Sequence, residues 1–582
     1  MRFKALAAAM LATVIGVQLV SPSTAQAATT GKTSAIEAKR VDSIPTPKLD
    51  WFECYGAYQC ASTRLPVDYD QPKGATTEVA LLKVPSKDQL HKIGTLFVNP
   101  GGPGGSGTQM AAMMGMIANP VVTSRFDIVG IDPRGVAFTD QVKCFADLKA
   151  QTRALAGLDI PFPIDDGERA AYLKGAQKLA QGCSTTGKTL SSTASTAEVA
   201  RDMDVLRRAV GDKKLNYLGF SYGTQLGQVY ANMFPDRIRA LAIDGTIDPV
   251  AWAGTQATKN VPVTLRLGSA EGAWGALKEG MKRCDAAGKE YCAISGNAMG
   301  RWSKVARELV QHPLVSTDLF TGQQLSYRYA TFISNTLGML YSTDGMDWVA
   351  AETAALEEAL WPTTPAEGTT ALKKLRALHT EFRKTHTATA ASRFTSSAFS
   401  YSNDIEAYAS VMCTDSLNPG SALAWKSAVA RGVRTGGPFA QAWGWSSPWC
   451  ASNDWKAIDE DAYRGPWNKK TSATILVVGS LWDPATSYAS AKAAAGRLGN
   501  ARLLTSNNWG HTAYGTGQCS TDAIEAYLVY GKLPAAGATC RDGYQPFSIK
   551  LSDSDDPADD VLLSVAQRAG VRMAPKPGVR LK

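Results

Sequence analysis

The chain holds only five histidines in 582 residues: His91, His312, His379, His386 and His511. It has no Cys-x-x-Cys pair and no clustered histidines, which removes the usual zinc ligand spacings, so no metal site is expected. After the first residues no run is long and apolar enough to span a bilayer, so no stable membrane association is expected. Lys and Arg are scattered rather than blocked, and a formal net charge of +9 is mild for this length, which argues against a nucleic-acid surface. Internal repeats are absent too. A glycine-rich stretch at Asn99 to Gly107 lacks the Gly-Lys-Ser/Thr ending of a phosphate loop, and its two prolines remove N–H donors.

The start of the chain is organised for export. Arg2 and Lys4 precede the mostly apolar stretch Leu6 to Val20, and Ala25-Gln26-Ala27 is a small-x-small cleavage site. Residues 1–27 therefore read as a signal peptide, with 28–46 a pro-segment or flexible lead-in and the product secreted and extracellular. Ten cysteines suit an oxidising compartment. They fall as neighbours along the chain, and pairing Cys54 with Cys60, Cys144 with Cys183, Cys284 with Cys292, Cys413 with Cys450 and Cys519 with Cys540 closes loops at the least entropic cost.

Strands are expected over Thr63 to Tyr69, Glu78 to Val84, Thr95 to Val98, Phe126 to Ile131, the run before Ser221, and Ile238 to Ile243, with helices between the later ones. Ser195-Thr196-Ala197-Glu198 is a capping box opening one of those helices. This alternation predicts an α/β fold with a mostly parallel sheet covered on both faces. The strand pattern pauses near Pro249 and resumes at Thr474. The expected layout is a first core part at 47–250, a helical insertion at 251–403 after the sixth strand, a second core part at 404–545 and a tail at 546–582. Aspartates from Asp553 to Asp560 in the tail read as a solvated cluster.

Chemistry centres on Gly219-Phe220-Ser221-Tyr222-Gly223, between an apolar strand and a helix-forming run. Gly-x-Ser-x-Gly in that context is a nucleophile elbow, where a strained turn lifts the Ser hydroxyl and only small residues fit on either side. In this fold the acid and then the base follow the nucleophile along the chain. His511, after the last predicted strand, is the histidine in that position. Asp483, just past the strand Leu476 to Ser480, is the preferred acid, with Asp244 as the rival. Gly102 in the glycine loop and Tyr222 after the nucleophile would supply backbone N–H groups to an oxyanion. No cofactor is needed for this chemistry.

The same residues resemble the proline-iminopeptidase-like branch of α/β-hydrolases, and most closely the secreted tripeptidyl aminopeptidases. The resemblance rests on Leu65-Pro66-Val67-Asp68-Tyr69, Asn99 to Gly107, Asp132-Pro133-Arg134-Gly135, Gly219 to Gly223, Asp244-Gly245, Cys413-Thr414-Asp415, Asp483-Pro484-Ala485-Thr486 and Gly510-His511. It implies a helical cap over the site and release of N-terminal peptides, typically tripeptides, from substrates with a free N-terminus. Pro100 stands where many iminopeptidases have His, which leans away from single-residue release. Prolyl aminopeptidase and secreted carboxylic-ester hydrolase are the alternatives. An aminopeptidase must also hold an ammonium group. Asp415 is the leading candidate, followed by Glu352 and Glu357 with Glu358, and by Asp404 and Glu406.

Overall fold

The structure, a computed structural model, describes residues 31–317, 324–386 and 400–551. The signal-like segment and the aspartate-rich tail lie outside the described residues.

The strands are β1 (Phe52–Cys54), β2 (Tyr58–Pro66), β3 (Thr76–Val84), β4 (Gly94–Asn99), β5 (Phe126–Ile131), β6 (Leu215–Phe220), β7 (Ile238–Asp244), β8 (Leu314–Thr317), β9 (Gln324–Tyr327), β10 (Ile475–Trp482), β11 (Ala501–Trp509) and β12 (Thr539–Cys540). All but β8 and β9 form one sheet in the order β1-β2-β3-β5-β4-β6-β7-β10-β11-β12. From β5 through β12 the pairings are parallel, while β1, β2 and β3 join antiparallel. Alternation within the central strands explains the layers. Phe97, Val129, Tyr217, Leu241 and Val477 face one apolar cluster, and Leu96, Ile128, Leu218, Ala242 and Leu476 face the other. A strand buried on both faces must be apolar throughout, as these are.

Register brings the functional candidates to one edge of the sheet. Gly219 pairs with Asn99, Phe220 with Asp244, Val478 with Asp244, and Trp482 with Trp509. Ser221, Asp244, Asp483 and His511 therefore all leave the sheet at the carboxyl ends of their strands, where open parallel sheets bind ligands.

The insertion differs from expectation in place and length. It follows the seventh strand in chain order, because the short β1, tied to β2 by the Cys54–Cys60 disulfide, precedes the six that the sequence pattern revealed. Its helices continue past 403 through Asp404–Asp415, Ala424–Gly436 and Phe439–Gly444, and the sheet resumes only at β10. Asp404–Asp415 is buried from Glu406 onward on nearly every side, so it lacks the one-sided apolar stripe that marks a surface helix. The insertion has its own apolar core around Trp302, Phe332, Trp348, Trp425 and Phe439.

Residues in the 28–46 stretch are also not a loose lead-in where the structure describes them. Ala35–Asp42 is a helix capped by Ser34, with Val41 fully buried and Ile44 nearly so. Arg208 donates to the Val41 carbonyl at 2.6 Å, and Arg237 and Arg201 pair with Asp42 and Glu37. The other four disulfides join the neighbouring cysteines as expected: Cys144–Cys183, Cys284–Cys292, Cys413–Cys450 and Cys519–Cys540.

Candidate active site

Ser221 sits between β6 and the helix Tyr222–Met233 with φ 53° and ψ −123°, a backbone conformation that a residue with a side chain rarely adopts. Its neighbours show why the sequence is small on both sides. A Cβ on Gly219 would stand 2.4 Å from the Gly223 carbonyl oxygen, and one on Gly223 would stand 2.7 Å from the Asn99 carbonyl oxygen. The turn is pinned by Ser221 N–H donating to the Asp244 carbonyl at 3.0 Å and Thr224 Oγ1 donating to the Ser221 carbonyl at 2.6 Å.

The glycine loop packs against this elbow. Asn99 Oδ1 accepts the Gly101 N–H at 2.9 Å. A Cβ on Gly101 would lie 2.7 Å from Tyr222 N and 2.9 Å from Ser221 Cβ, so a side chain there would push the loop away from the serine. Gly102, at φ 107°, lines the same cavity as Ser221. The far end of the loop is held by buried Asp132, which accepts from Ser106 Oγ at 2.6 Å and Thr108 N at 2.9 Å.

Asp483 and His511 meet beside this cavity. His511 Nδ1 lies 3.0 Å from both carboxylate oxygens of Asp483. Asp483 is buried, and its oxygens also accept from Ala485 N and Thr486 N at 2.8 Å and from Thr486 Oγ1 at 2.9 Å. Burial by itself would raise the carboxyl, but the His511 charge and these hydrogen bonds outweigh it and hold Asp483 below the usual carboxylate range. Burial would likewise lower the imidazole, but Asp483 outweighs it and, with a smaller contribution from Asp244, holds His511 above the ordinary histidine value. Thr486 joins the pair to the serine: it lines the cavity with Ser221, and its Oγ1 lies 3.4 Å from His511 Nδ1. The imidazole also stands over the end of β7, where a Cβ on Gly245 would be 3.2 Å from His511 Cε1.

Asp244, the rival acid, does a different job. Its carboxylate accepts the N–H groups of Ala513 at 2.9 Å and Tyr514 at 2.8 Å, which shapes the turn after His511. Burial pushes it up to about 6, against those backbone donors.

The cavity itself is small, about 60 Å³. Ile247, Trp252, Tyr341, Tyr408, Met412 and Trp443 give it apolar and aromatic walls, contributed mostly by the insertion, and among the described residues no carboxylate lines it. The structure does not bring Asp415 into it. That carboxylate is buried behind Trp252, accepting Trp252 Nε1 at 2.9 Å and Thr196 N and Oγ1 at 2.8 and 2.5 Å. Glu352 is fully buried within the insertion against Tyr327, Asn335 and His379, and Glu357 pairs with Arg301. Glu406 holds Tyr401 Oη and the Cys144 N–H. Sequence reasoning missed Thr486 and Tyr408 as wall residues, while Trp252 and Tyr341 stand among the insertion aromatics that it allowed as pocket lining. Thr486 alone carried a signal, standing three residues past Asp483.

Sequence comparison matches this architecture. The profile described as alpha/beta hydrolase fold covers residues 94–261, and the one described as TAP-like protein covers 437–540. A carboxylesterase B of Mycobacterium tuberculosis is 30% identical, over 85% of this chain and 91% of that one. The chain belongs to the α/β-hydrolase family. Within it, a tripeptidyl aminopeptidase of Streptomyces lividans is 27% identical over 84% of this chain and 86% of its own length. The serine protease Hip1 of Mycobacterium tuberculosis is 29% identical over 83% and 88%. This α/β-hydrolase is thus a serine hydrolase of the tripeptidyl-aminopeptidase-like group, in line with the resemblance carried by its motifs.

Proposed function

We propose that this hydrolase is an exported serine exopeptidase that releases short peptides, typically tripeptides, from substrates with a free N-terminus. Five disulfides support the oxidising compartment that export implies. The observation that carries the reading is the Asp483–His511 pair beside a cavity shared by Ser221, Gly102 and Thr486. Ser221 attacks the scissile carbonyl while His511 takes its proton, and Asp483 fixes the imidazole tautomer and stabilises the imidazolium. The N–H groups of Gly102 and Tyr222 receive the oxyanion. His511 then protonates the leaving amine, and water resolves the acyl-enzyme.

One observation favours a second reading, a carboxylic-ester hydrolase with the same residues. The cavity walls are apolar and include none of the carboxylates expected to hold an ammonium group.

Mass spectrometry of products from an unstructured hexapeptide, with its N-terminus free and then acetylated, separates the two. Tripeptide from the free form alone is the expected result. Single-residue release would make it a prolyl-type aminopeptidase. Cleavage of both forms alike would remove the amine requirement, and turnover of esters with neither peptide cut would establish the second reading.

A further inference from the structure

A separate polar centre lies where the helix Ala35–Asp42, the helix Thr196–Ala209 and the segment from Asp459 to Asp461 meet. Arg40 contacts Asp70 at 2.6 Å and Glu37 and Asp461 at 2.8 Å. Arg201 contacts Glu198 at 2.6 Å, Asp461 at 2.7 Å and Glu37 at 2.8 Å. Arg134 contacts Asp202 at 2.6 Å and Glu198 at 3.2 Å. These three guanidiniums are shared among more carboxylates than they can neutralise. Asp459 stands beside them at 4% exposure, with Glu198 and Asp202 at 2% each. An excess of buried negative charge is costly unless a cation or a proton joins it.

The geometry offers a place for a cation. Glu198, Asp459 and Asp461 each present a carboxylate oxygen within 4.8 Å of the others, the spread of ligands around an ion bound at roughly 2.3–2.6 Å. Independently, Asp459 Oδ2 and Asp461 Oδ1 are buried without a donor among the described residues, and Glu198 Oε2 has the Arg134 guanidinium at 3.2 Å. Unmade hydrogen bonds on two neighbouring acids are rare in a folded protein and call for an explanation.

We propose that Glu198, Asp459 and Asp461 bind a divalent cation of the calcium type. The donors are all hard oxygens, with no sulfur or imidazole, which suits calcium rather than zinc. Asp461 is partly exposed and gives the ion a route from solvent. The ion would fasten the segment leading to β10 onto the first turn of the helix that starts at Thr196. Thr196 in turn holds the Tyr222 hydroxyl at 2.5 Å, so the tie ends one residue from the serine, and its main effect falls on stability.

The test is thermal unfolding of the full chain after EDTA treatment and dialysis, with and without calcium, paired with calorimetric titration of the metal alone. Calcium at about 1 mM is expected to raise Tm by roughly 2–5 °C, with magnesium doing less, and to bind one ion per chain. Asp459→Asn is expected to lose the shift. Glu460→Gln is expected to keep it, although Glu460 forms a second, more exposed acidic group with Asp68 and Asp70. Loss in Glu460→Gln with retention in Asp459→Asn would overturn the proposal and move the ion to the surface. No shift and no binding heat in the wild type would overturn it as well, leaving a proton shared between Asp459 and Asp461. If Asp459→Asn fails to fold, the wild-type titration and Asp461→Asn decide.

Discussion

Tyr341 holds His511 at two points: its carbonyl accepts the His511 N–H at 2.9 Å, and its ring meets the imidazole near edge-on with centroids 5.1 Å apart. The insertion therefore does more than wall the cavity; it holds the His511 imidazole in place. Tyr341→Ala keeps the backbone bond and loses the ring contact, which at about 0.5–1.5 kcal/mol corresponds to a roughly 2–10-fold fall in kcat. Tyr341→Phe is expected to stay close to wild type. Steady-state kinetics on one peptide substrate checks both.

Ser221→Ala is expected to lower kcat by about 10⁴–10⁶ while leaving Tm within a degree or two, because the elbow's close contacts involve its glycines and backbone. A fluorophosphonate probe labels the wild type and not this variant. Labelling that persists in the variant would place the nucleophile elsewhere.

The pH profile follows from the Asp483–His511 pair. His511 must be neutral to accept the Ser221 proton, and its value is held above that of free imidazole, so kcat/KM is expected to fall on the acid side from a midpoint above about 6.5. Asp483→Asn removes the charge that raises the imidazole. That variant is expected to lose roughly 10³–10⁴ in kcat and to show its acid limb at lower pH. The stability linkage has two signs. His511, raised in the fold, contributes stability that is complete at low pH and lost as pH climbs through its folded value. Asp483, depressed in the fold, contributes stability that is lost as pH falls below the ordinary carboxylate range.

Asp415→Asn distinguishes a structural carboxylate from an ammonium anchor. Its oxygens accept from Thr196 and Trp252, so the variant places an amide NH₂ against donors and is expected to cost about 1–3 kcal/mol in denaturant unfolding. Activity on a free-amine peptide and on a simple ester is expected to fall together. A rise in KM confined to the peptide would restore the anchor.

The parts of the site that were legible in the sequence are those set by steric or chemical scarcity. Gly219 and Gly223 have no alternative residue at a 2.4–2.7 Å approach, and His511 is one of only five histidines and the one that follows β11, the last strand that the sequence pattern reveals. The five disulfides were legible because short loops close readily. What was hidden depends on three-dimensional burial. Asp415 follows a cysteine in a short polar motif that reads as accessible, yet its helix is buried. The extra length of the insertion was concealed because Asp404–Asp415 has no exposed face to generate a period. The helix Ala35–Asp42 looked polar because its charges are spent on Arg201, Arg237 and Asp70, partners that no local window can see.

That helix also sets an order on how the protein can be made. Residues 35–42 are synthesised early, but Arg40 waits for Asp461, which stands 421 residues further along the chain. Until then Arg40 has Glu37 and Asp70, its near neighbours in the chain, as partners. The helix is tied to the loop before β10 only when that loop arrives.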